Sequence, residues 1–416
     1  MGNKKKIYTF FFLYFFLINS QFSFAQNLSQ IPSDINMNIS WKSLKRYFYY
    51  LDQLKKSFIS DPIPKEYKKN FNAKVFYESE NNVTKILPAK ARITGDVLDH
   101  IDTDRNLSSF KIELEKGHIN NITKFRLLTD HKSHNDEIFW SILIRELGFP
   151  SSSRGMVNSK INGLQSKKYF FEESYSKEFI ESIGLRNSPV VEMDDREKFY
   201  ILSQTKECYS FSLSGYKANN KCINKFNNKI KKINIYKIEN KSFIQNPITA
   251  KISYKAIIEK NKLNILNEIV NGYYDYYNEN TSLYKNIQKL KTKILKNKNF
   301  LNYKTFSEIH KIYGSHALND YNIKFIFDPI FNELIPVNWD SNVILSNKCT
   351  SIYKNFNQNF QNSELNKKFQ KINYQYTKIT NSKKISNEMK CLISLFLSDD
   401  NFKYQKNVDL INNLEK

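Results

Sequence analysis

Four short segments between residues 73 and 129 alternate apolar and polar side chains, and they constrain the fold more than any other feature. They read AKVFYE, KILPAKARITG, SSFKIELE and KFRLLT, separated by Asn, Asp and Gly. A period of two is typical of β-strands with one buried face. HNDEIFWSILIRELG follows with apolar residues at helical spacing, Asn135 or Asp136 as predicted N-cap, and Gly148 and Pro150 as stop signals. The sequence therefore predicts several strands and then a helix.

The later part of the chain reads as mostly helical. MVNSKING and KKYFFEE predict a hairpin, and a short helix is predicted around Ser176–Ile183. Residues 195–247 are rich in Lys and Asn and read as strands and loops, whereas residues 263–295 and 306–312 and the polar tail after Ser346 read as helices. This order favours an α+β fold with two lobes, a strand-rich N-terminal lobe and a mainly helical C-terminal lobe, and a cleft between them for a ligand.

The predicted organisation has four parts. They are a signal peptide (1–25), a helical lead-in (26–72), the main domain (73–345, including the Lys/Asn-rich segment) and a C-terminal helical extension (346–416). The lead-in is read as helical because Trp41, Leu44, Tyr47 and Leu51 recur at three- and four-residue spacing.

The first residues have the layout of a secretory signal. Lys4, Lys5 and Lys6 precede an apolar run from Ile7 to Ile18, and small residues at Ser23 and Ala25 fit a cleavage site. The run is shorter than the roughly 20 apolar residues that a membrane span needs. We therefore expect export to the periplasm, the cell surface or the medium, with no transmembrane segment after signal removal. An uncleaved N-terminal anchor is the alternative.

The chain is strongly basic, with a formal net charge of +23. Such a balance favours anionic partners. For an exported chain whose Lys and Asn content is typical of AT-rich coding, nucleic acid is not the expected partner. An anionic surface glycan or a phosphorylated ligand fits the compartment better.

The four cysteines form two pairs of near neighbours in the sequence. In an oxidising compartment Cys208–Cys222 and Cys349–Cys391 are candidate disulfides, although four cysteines allow three connectivities. Buried free thiols are the alternative. No CxxC motif is present, so a structural zinc site is not indicated.

The stretch SHALNDYNIKFIFDPIFNELIPVNWD, from Ser315 to Asp340, predicts a β-hairpin with polar side chains at its open end. Asn322 precedes the first strand and Asp340 follows the second, so both side chains are expected at one end of the hairpin. They could share a bound ion, or they could be a strand start and a turn cap without any chemistry.

Several motifs in a fixed order resemble those of the CotH kinase-like family of spore-coat and secreted proteins. The family patterns are R-x-x-G, S-F-K/R, an acidic-aromatic helix, I-N-G with a later Y-x-x-x-E, H-x-L-x-x-x-N and P-I/V-x-W/F-D. Here they correspond to ARITG, SSFKIEL, HNDEIFW, ING, YFFEE, HALNDYN and PVNWD, over about residues 85–342. The resemblance implies a divergent protein-kinase fold and phosphoryl transfer, which depends on positioning and on neutralising phosphate charge.

The resemblance also implies roles for particular residues. Lys111 is expected to reach the phosphates of ATP, and Glu137 to orient Lys111. Asn322 and Asp340 are expected to hold Mg²⁺ or Mn²⁺, which needs few protein oxygens when phosphates also bind it. Arg92, Gly95 and Asp96 are expected in the strand and turn above them. Glu173 corresponds to the acid of the Y-x-x-x-E motif, and Arg92 and Glu173 are expected to help bind the nucleotide.

The chain departs from the family where a catalytic base is expected. Ala317 stands where the spore-coat branch has an Asp, His316 matches a branch with H-x-L, and Asp320 is the nearest carboxylate. His316 and Asp320 are thus the candidate bases. Lys168 also replaces the usual Gly before Tyr169.

Two functions follow from the sequence. The first is an exported atypical kinase that transfers phosphate from a nucleoside triphosphate, with Mg²⁺ or Mn²⁺, to a hydroxyl of a protein or surface glycan. The alternative is a non-catalytic surface or glycan-binding protein, or a pseudokinase, that reuses the same fold.

Overall fold

The computed structural model describes much of the chain, with gaps. The described residues are 31–56, 63–79, 81–95, 100–102, 107–129, 134–164, 166–185, 187–194, 209–212, 215–218, 236–240, 242–270, 289, 292–319, 322–346, 348–352, 363–380, 382 and 384–398. Asp96, Asp320, Cys208 and Cys222 lie outside these residues, so the predictions made for them stay predictions.

The larger sheet is antiparallel and has seven strands in the order β1-β2-β3-β6-β7-β9-β8. Its strands are β1 (Ile35–Ile39), β2 (Phe71–Glu78), β3 (Thr84–Ile93), β6 (Phe110–Leu114), β7 (Lys124–Leu128), β8 (Arg154–Ser159) and β9 (Lys167–Glu173). Two short strands, β4 (Ile101–Asp102) and β5 (Leu107–Ser108), pair with each other ahead of β6. The predicted strands between residues 73 and 129 and the predicted hairpin of β8 and β9 are confirmed.

A second antiparallel sheet has four strands in the order β13-β10-β14-β15. Its strands are β10 (Val190–Met193), β13 (Tyr236–Ile238), β14 (Lys324–Asp328) and β15 (Glu333–Val337), and a separate pair is formed by β11 (Tyr209–Ser212) and β12 (Gly215–Ala218). β14 and β15 are buried at every position, because this sheet is covered on both faces.

Nine α-helices accompany the sheets within the described residues. They are α1 (Trp41–Leu54), α2 (His134–Glu146), α3 (Lys177–Ser182), α4 (Ser242–Gln245), α5 (Pro247–Val270), α6 (Lys298–Ile312), α7 (Lys348–Ile352), α8 (Ser363–Thr380) and α9 (Asn387–Leu397). Short 3₁₀ helices span Lys65–Lys68 and Ser315–Leu318. The α+β class is therefore confirmed. No helix in this described part of the chain combines the length and apolar character that a bilayer crossing requires.

Two large cores hold the molecule together. In one core, α1 packs on one face of the seven-stranded sheet, where the rings of Tyr47 and Phe110 lie 5.3 Å apart. In the other core, α2 is surrounded by helices of the C-terminal part and by the four-stranded sheet, so Trp140 contacts Phe396. The apolar residues whose alternation predicted the strands thus lie on the side of the sheet that α1 covers.

Two predicted boundaries are wrong. The lead-in is not purely helical: Ile35, Met37 and Ile39 are buried in β1, the edge strand that pairs with β2. The helix α2 begins at His134, so Asn135 and Asp136 lie inside it rather than capping it. Asp136 instead accepts a hydrogen bond from the backbone N–H of Leu345 at 2.9 Å, a long-range partner that local capping rules cannot reveal.

One of the candidate disulfides is confirmed. Cys349 in α7 is bonded to Cys391 in α9, and both residues are buried. The bond ties the short helix that follows the hairpin to the last described helix.

Candidate functional site

The open end of the β14–β15 hairpin brings three predicted residues together. His316 Nδ1 lies 2.9 Å from the backbone oxygen of Asp340 and 3.6 Å from its Oδ2. The Nδ2 of Asn322 is 2.9 Å from the same ring nitrogen and donates to the backbone oxygen of His316 at 3.0 Å. The backbone oxygen of Asp340 can only accept and the Nδ2 of Asn322 can only donate, so His316 Nδ1 bonds Asp340 when it is protonated and Asn322 when it is not. We call His316, Asn322 and Asp340 the hairpin cluster.

The protonation of this cluster follows from its contacts. The carboxylate and the backbone oxygen of Asp340 beside the His316 ring raise the pKa of His316, more than burial lowers it. Burial alone would raise the pKa of Asp340, but the hydrogen bond and charge of His316, with the charges of Arg126 and Arg154, hold that pKa below its usual value. The cluster therefore pairs a carboxylate that ionises more readily than usual with an imidazole that binds a proton more readily than usual.

Asp340 is held in an uncommon backbone conformation. Its φ is +46° and that of Asn342 is also +46°. The left-handed region is uncommon for residues other than glycine, although Asn and Asp enter it more easily, and it costs on the order of 1 kcal/mol. Asn338, which is buried, is held two residues before Asp340: its side-chain Nδ2 donates to Ser151 Oγ at 2.8 Å, and its backbone oxygen accepts from the hydroxyl of Tyr175 at 2.8 Å.

A row of charged side chains crosses the seven-stranded sheet on the face opposite α1. The strand register places these residues side by side: Arg92, Lys111, Arg126, Glu172 and Arg154. We call this set the charged row. Successive side chains of a strand point to opposite faces, so the row alternates with the apolar residues that pack on α1. The row itself holds four cations and one carboxylate.

Trp339 connects the charged row to the hairpin cluster. Its ring lies 4.0 Å from the guanidinium of Arg126 and 4.3 Å from the ammonium of Lys324, so two cations contact one indole. Lys324 is in turn bound by Glu192 at 2.7 Å and Glu239 at 2.8 Å. Because Asp340 follows Trp339 directly, the hairpin cluster and the charged row form one continuous polar region.

Lys111 is half-buried in the middle of the row. Burial lowers the pKa of Lys111; the neighbouring charges of Arg92, Lys324 and Arg126 lower it further, and Glu239 opposes them. Arg92 lies directly across from Lys111 in the register. These two predicted residues are therefore brought together, and Glu239 is the acid whose charge most affects Lys111.

Glu137 lies in the first turn of α2 but contacts different partners from those predicted. Its carboxylate is bound by Arg154 and by the backbone N–H of Val343, the latter at 2.5 Å. Burial raises the pKa of Glu137 to about 7, although Arg154 opposes the change. Through Arg154, Glu137 is coupled to the charged row. The role of orienting Lys111 stays a prediction.

Glu173 is not brought to the charged row. Its neighbour Glu172 occupies the position beside Arg126 and Arg154, whereas Glu173 accepts a hydrogen bond from the backbone N–H of Ser153 at 3.2 Å. Alternation along β9 turns Glu173 to the opposite face of the sheet.

Gly95 is placed next to His100. Its φ is +113°, and a Cβ at this position would lie 2.4 Å from a His100 ring carbon. A side chain would therefore clash here, and the left-handed φ would also strain it.

Ala317 is buried in the 3₁₀ helix beside His316, with 1% exposure. The position where the family has an Asp thus holds a small apolar side chain packed inside the protein. His316 is the nearest titratable group among the described residues of this loop.

Several residues of the site were not identified from the sequence. They are Arg126, Arg154, Glu172, Glu192, Glu239, Lys324 and Trp339. A signal for part of the row was present, because Arg92, Lys111 and Arg126 each occupy a polar position in one of three successive predicted strands. Glu239 and Lys324 carried no such signal, since they meet only when β10, β13 and β14 pair.

The described residues contain no group of three or more His, Cys, Asp and Glu side chains that could hold a metal ion. The side-chain oxygens of Asn322 and Asp340 are of the type that Mg²⁺ and Mn²⁺ bind in proteins. A pocket of about 650 Å³ lined by Asn36, Phe76 and Asn162 lies elsewhere and shares no residue with the site. Comparison with protein-family models and with curated proteins finds no match for this chain.

Proposed function

We propose that this protein is an exported, CotH-like atypical kinase with a two-lobed fold. It binds a nucleoside triphosphate with Mg²⁺ or Mn²⁺ between the charged row and the hairpin cluster, and it transfers a phosphoryl group to a hydroxyl of a protein or an anionic surface glycan. The observation that carries the proposal is the adjacency of Arg92, Lys111 and Arg126 on neighbouring strands. Like charges directly opposite each other destabilise a sheet, so their alignment fits a face that receives an anion.

The buried guanidinium groups support an anionic ligand. The Nε atoms of Arg126 and Arg154 are buried and have no hydrogen-bond acceptor among the described residues. Buried donors are almost always paired, and each unpaired one costs about 1–3 kcal/mol. Phosphate oxygens are the acceptors that arginine and lysine bind best.

The hairpin cluster supplies the remaining groups for phosphoryl transfer. A divalent cation at Asn322 and Asp340 would neutralise phosphate charge, which is the main requirement of this chemistry. When Nδ1 carries the proton and donates to Asp340, Nε2 is the ring atom that can accept a proton from a substrate hydroxyl. Asp320 is the second candidate for this role.

Export is supported by the disulfide between Cys349 and Cys391. Disulfides persist in oxidising compartments and are rare in the cytosol of most cells. Together with the signal-like first 25 residues, this pairing favours the periplasm, the cell surface or the medium.

One observation favours a second function, a non-catalytic binder of anionic ligands. Ala317 is buried where the resembled family has its catalytic Asp. Such a protein would keep the charged row and bind a phosphorylated or anionic glycan without transferring phosphate.

Thermal shift and phosphate-transfer assays with ATP, with Mg²⁺, Mn²⁺ or a chelator, test the kinase proposal. A ligand at a hundred times its Kd should raise the free energy of unfolding by about 2.7 kcal/mol. Asp340→Asn should abolish the metal-dependent part of this shift and lower transfer by at least about a hundredfold. Lys111→Ala should weaken binding with or without metal.

The matched control is Lys74→Ala, which removes an exposed lysine from β2 of the same sheet. It should behave like the wild type. Binding without transfer would assign the non-catalytic function. A wild-type protein that shows no shift with ATP, and an Asp340→Asn variant indistinguishable from it, would refute the nucleotide site.

A further inference from the structure

The outward face of α1 carries three large aromatic rings. Trp41, Phe48 and Tyr49 are 68%, 41% and 58% exposed. A helix turns 100° per residue, so these rings fall within an arc of about 100°, on the side away from Tyr50 and Leu54, which face the core. Scattered exposed apolar residues are ordinary, but three large rings on one face of a 14-residue helix form a patch of the kind that marks an interaction surface.

The same face is basic. Its exposed lysines are Lys42, Lys45, Lys55 and Lys56, and its one acid, Asp52, lies 3.3 Å from Lys56. The ammonium of Lys45 lies 5.6 Å from the centre of the Trp41 ring, and the lysines and the aromatic residues alternate on the same side of the helix. Two copies of this face would repel each other, which argues against a symmetric dimer through α1.

We propose that the outer face of α1 docks this protein on the surface of an anionic lipid bilayer. Tryptophan and tyrosine rings are enriched at the depth of lipid headgroups, and lysines beside them are attracted to anionic lipids. A helix that presents aromatic and basic side chains to such an interface lies in its plane. The face is convex, whereas single-stranded nucleic acid is held in a groove that tracks its backbone.

The docking orientation follows from the sheet. The ring of Tyr47, on the inner side of α1, packs against Phe71 and Phe110. The charged row projects from the opposite face of this sheet. A protein bound through α1 therefore places the charged row and the hairpin cluster on the side of the sheet away from the bilayer. The proposal does not depend on what the site binds.

Co-flotation of the full chain with vesicles tests this proposal. The two probes are vesicles of phosphatidylcholine alone and of phosphatidylcholine with phosphatidylglycerol. We expect binding to the anionic vesicles that weakens with salt. The variant with Trp41→Ser, Phe48→Ser and Tyr49→Ser should bind at least about tenfold more weakly. The variant with Lys42→Gln, Lys45→Gln and Lys56→Gln should lose the preference for anionic lipid.

The matched control changes another exposed aromatic residue and the lysine beside it, on a different helix. Tyr374 on α8 is 63% exposed, and the ammonium of Lys378 lies 5.7 Å from its ring centre. Tyr374→Ser with Lys378→Gln should bind vesicles like the wild type. Because all chains carry the same Ile7–Ile18 run, that run cannot cause differences between variants. Equal melting temperatures will show that the α1 variants are folded.

Tryptophan fluorescence gives an independent readout. Of the three tryptophans, Trp140 is fully buried and Trp339 is 9% exposed, so a blue shift on adding vesicles reports Trp41. The proposal is overturned by an aromatic variant that floats like the wild type, or by a wild type that does not bind anionic vesicles. Binding of single-stranded RNA through the same residues, without vesicle binding, would also overturn it.

Discussion

Glu137 is a buried carboxyl group whose pKa lies near neutral pH. It shares Arg154 with Glu172, so one guanidinium serves two carboxylates away from water. Burial raises the pKa of Glu137 to about 7, while an unfolded Glu titrates at 4.5. Between these values the folded protein binds a proton that the unfolded chain has released. The free energy of unfolding therefore falls as the pH rises through this window, and the contribution is constant above it.

His310 has the opposite effect on how the free energy of unfolding changes with pH. Burial lowers its pKa to about 4, from 6.5. Between these values the unfolded chain binds the extra proton, so the free energy of unfolding rises with pH. The two groups compensate over much of the acidic range, and the pH profile of the wild type alone cannot reveal either one.

Replacing Glu137 with Gln separates the contributions of Glu137 and His310 to the pH dependence of the free energy of unfolding. Gln cannot titrate, so the variant loses the decline that Glu137 produces between pH 4.5 and about 7, while His310 is unchanged. Relative to the wild type, we expect Glu137→Gln to gain up to about 3 kcal/mol on going from pH 5 to pH 8. Urea unfolding at four pH values measures this difference. A difference that is the same at every pH would show that Glu137 titrates normally in the folded protein.

At the scale of elements, α9 holds the end of the hairpin in place through one carboxylate. Glu388 accepts from the backbone N–H groups of Cys349 at 2.7 Å and Thr350 at 3.1 Å, which are orphan donors at the start of α7. Glu388 also accepts from the hydroxyl of Tyr313, which ends α6 just before the loop that carries His316. The disulfide joins the same two helices, so α9 braces the segments on both sides of the hairpin cluster.

Removing the disulfide should therefore be costly. The cysteines are separated by 42 residues, and closing a loop of this length restricts the unfolded chain by about 4 kcal/mol. We expect Cys349→Ala with Cys391→Ala to lower the free energy of unfolding by roughly this amount, measured by chemical denaturation. Wild-type protein treated with a dithiol after mild unfolding should show the same loss. An unchanged midpoint would mean that hydrogen bonds to Glu388 suffice to hold α7.

For the whole molecule, the sequence predicted the class of most elements and the placement of Asn322 and Asp340 at one end of a hairpin, where each contacts His316. Local period and register carry that information, because a hairpin brings its two ends together whatever surrounds it. The pairing of Glu137 with Arg154 was not predictable, because it depends on how α2 seats against β8. The strand β1 was missed although Ile35, Met37 and Ile39 alternate with two Asn residues, because the adjacent helical spacing was extended over it.

The predicted boundary between the main domain (73–345) and the C-terminal extension (346–416) can be tested by truncation. Helices α8 and α9 bury Leu365, Ile372, Tyr376, Met389, Leu392 and Phe396 in the same core as α2. Burying each such side chain contributes about 1.5–3 kcal/mol, and a typical domain is stable by only about 5–15 kcal/mol in total. A chain ending at Ser346 should therefore be insoluble or lack fixed packing in near-ultraviolet circular dichroism.

A chain ending at Ser398 is the matched control for this truncation. It keeps every residue of that core and should melt at the temperature of the full-length protein. Because α2 supplies Glu137 and the α6 end supplies Tyr313, losing α8 and α9 should also remove ligand binding at the hairpin cluster. If the chain ending at Ser346 unfolds cooperatively with a sharp transition, residues 346–416 are an appendage and the core assigned to them is wrong. The packing of Phe139 against Tyr376, 6.1 Å between ring centres, favours the opposite result, since it joins the centre of α2 to α8.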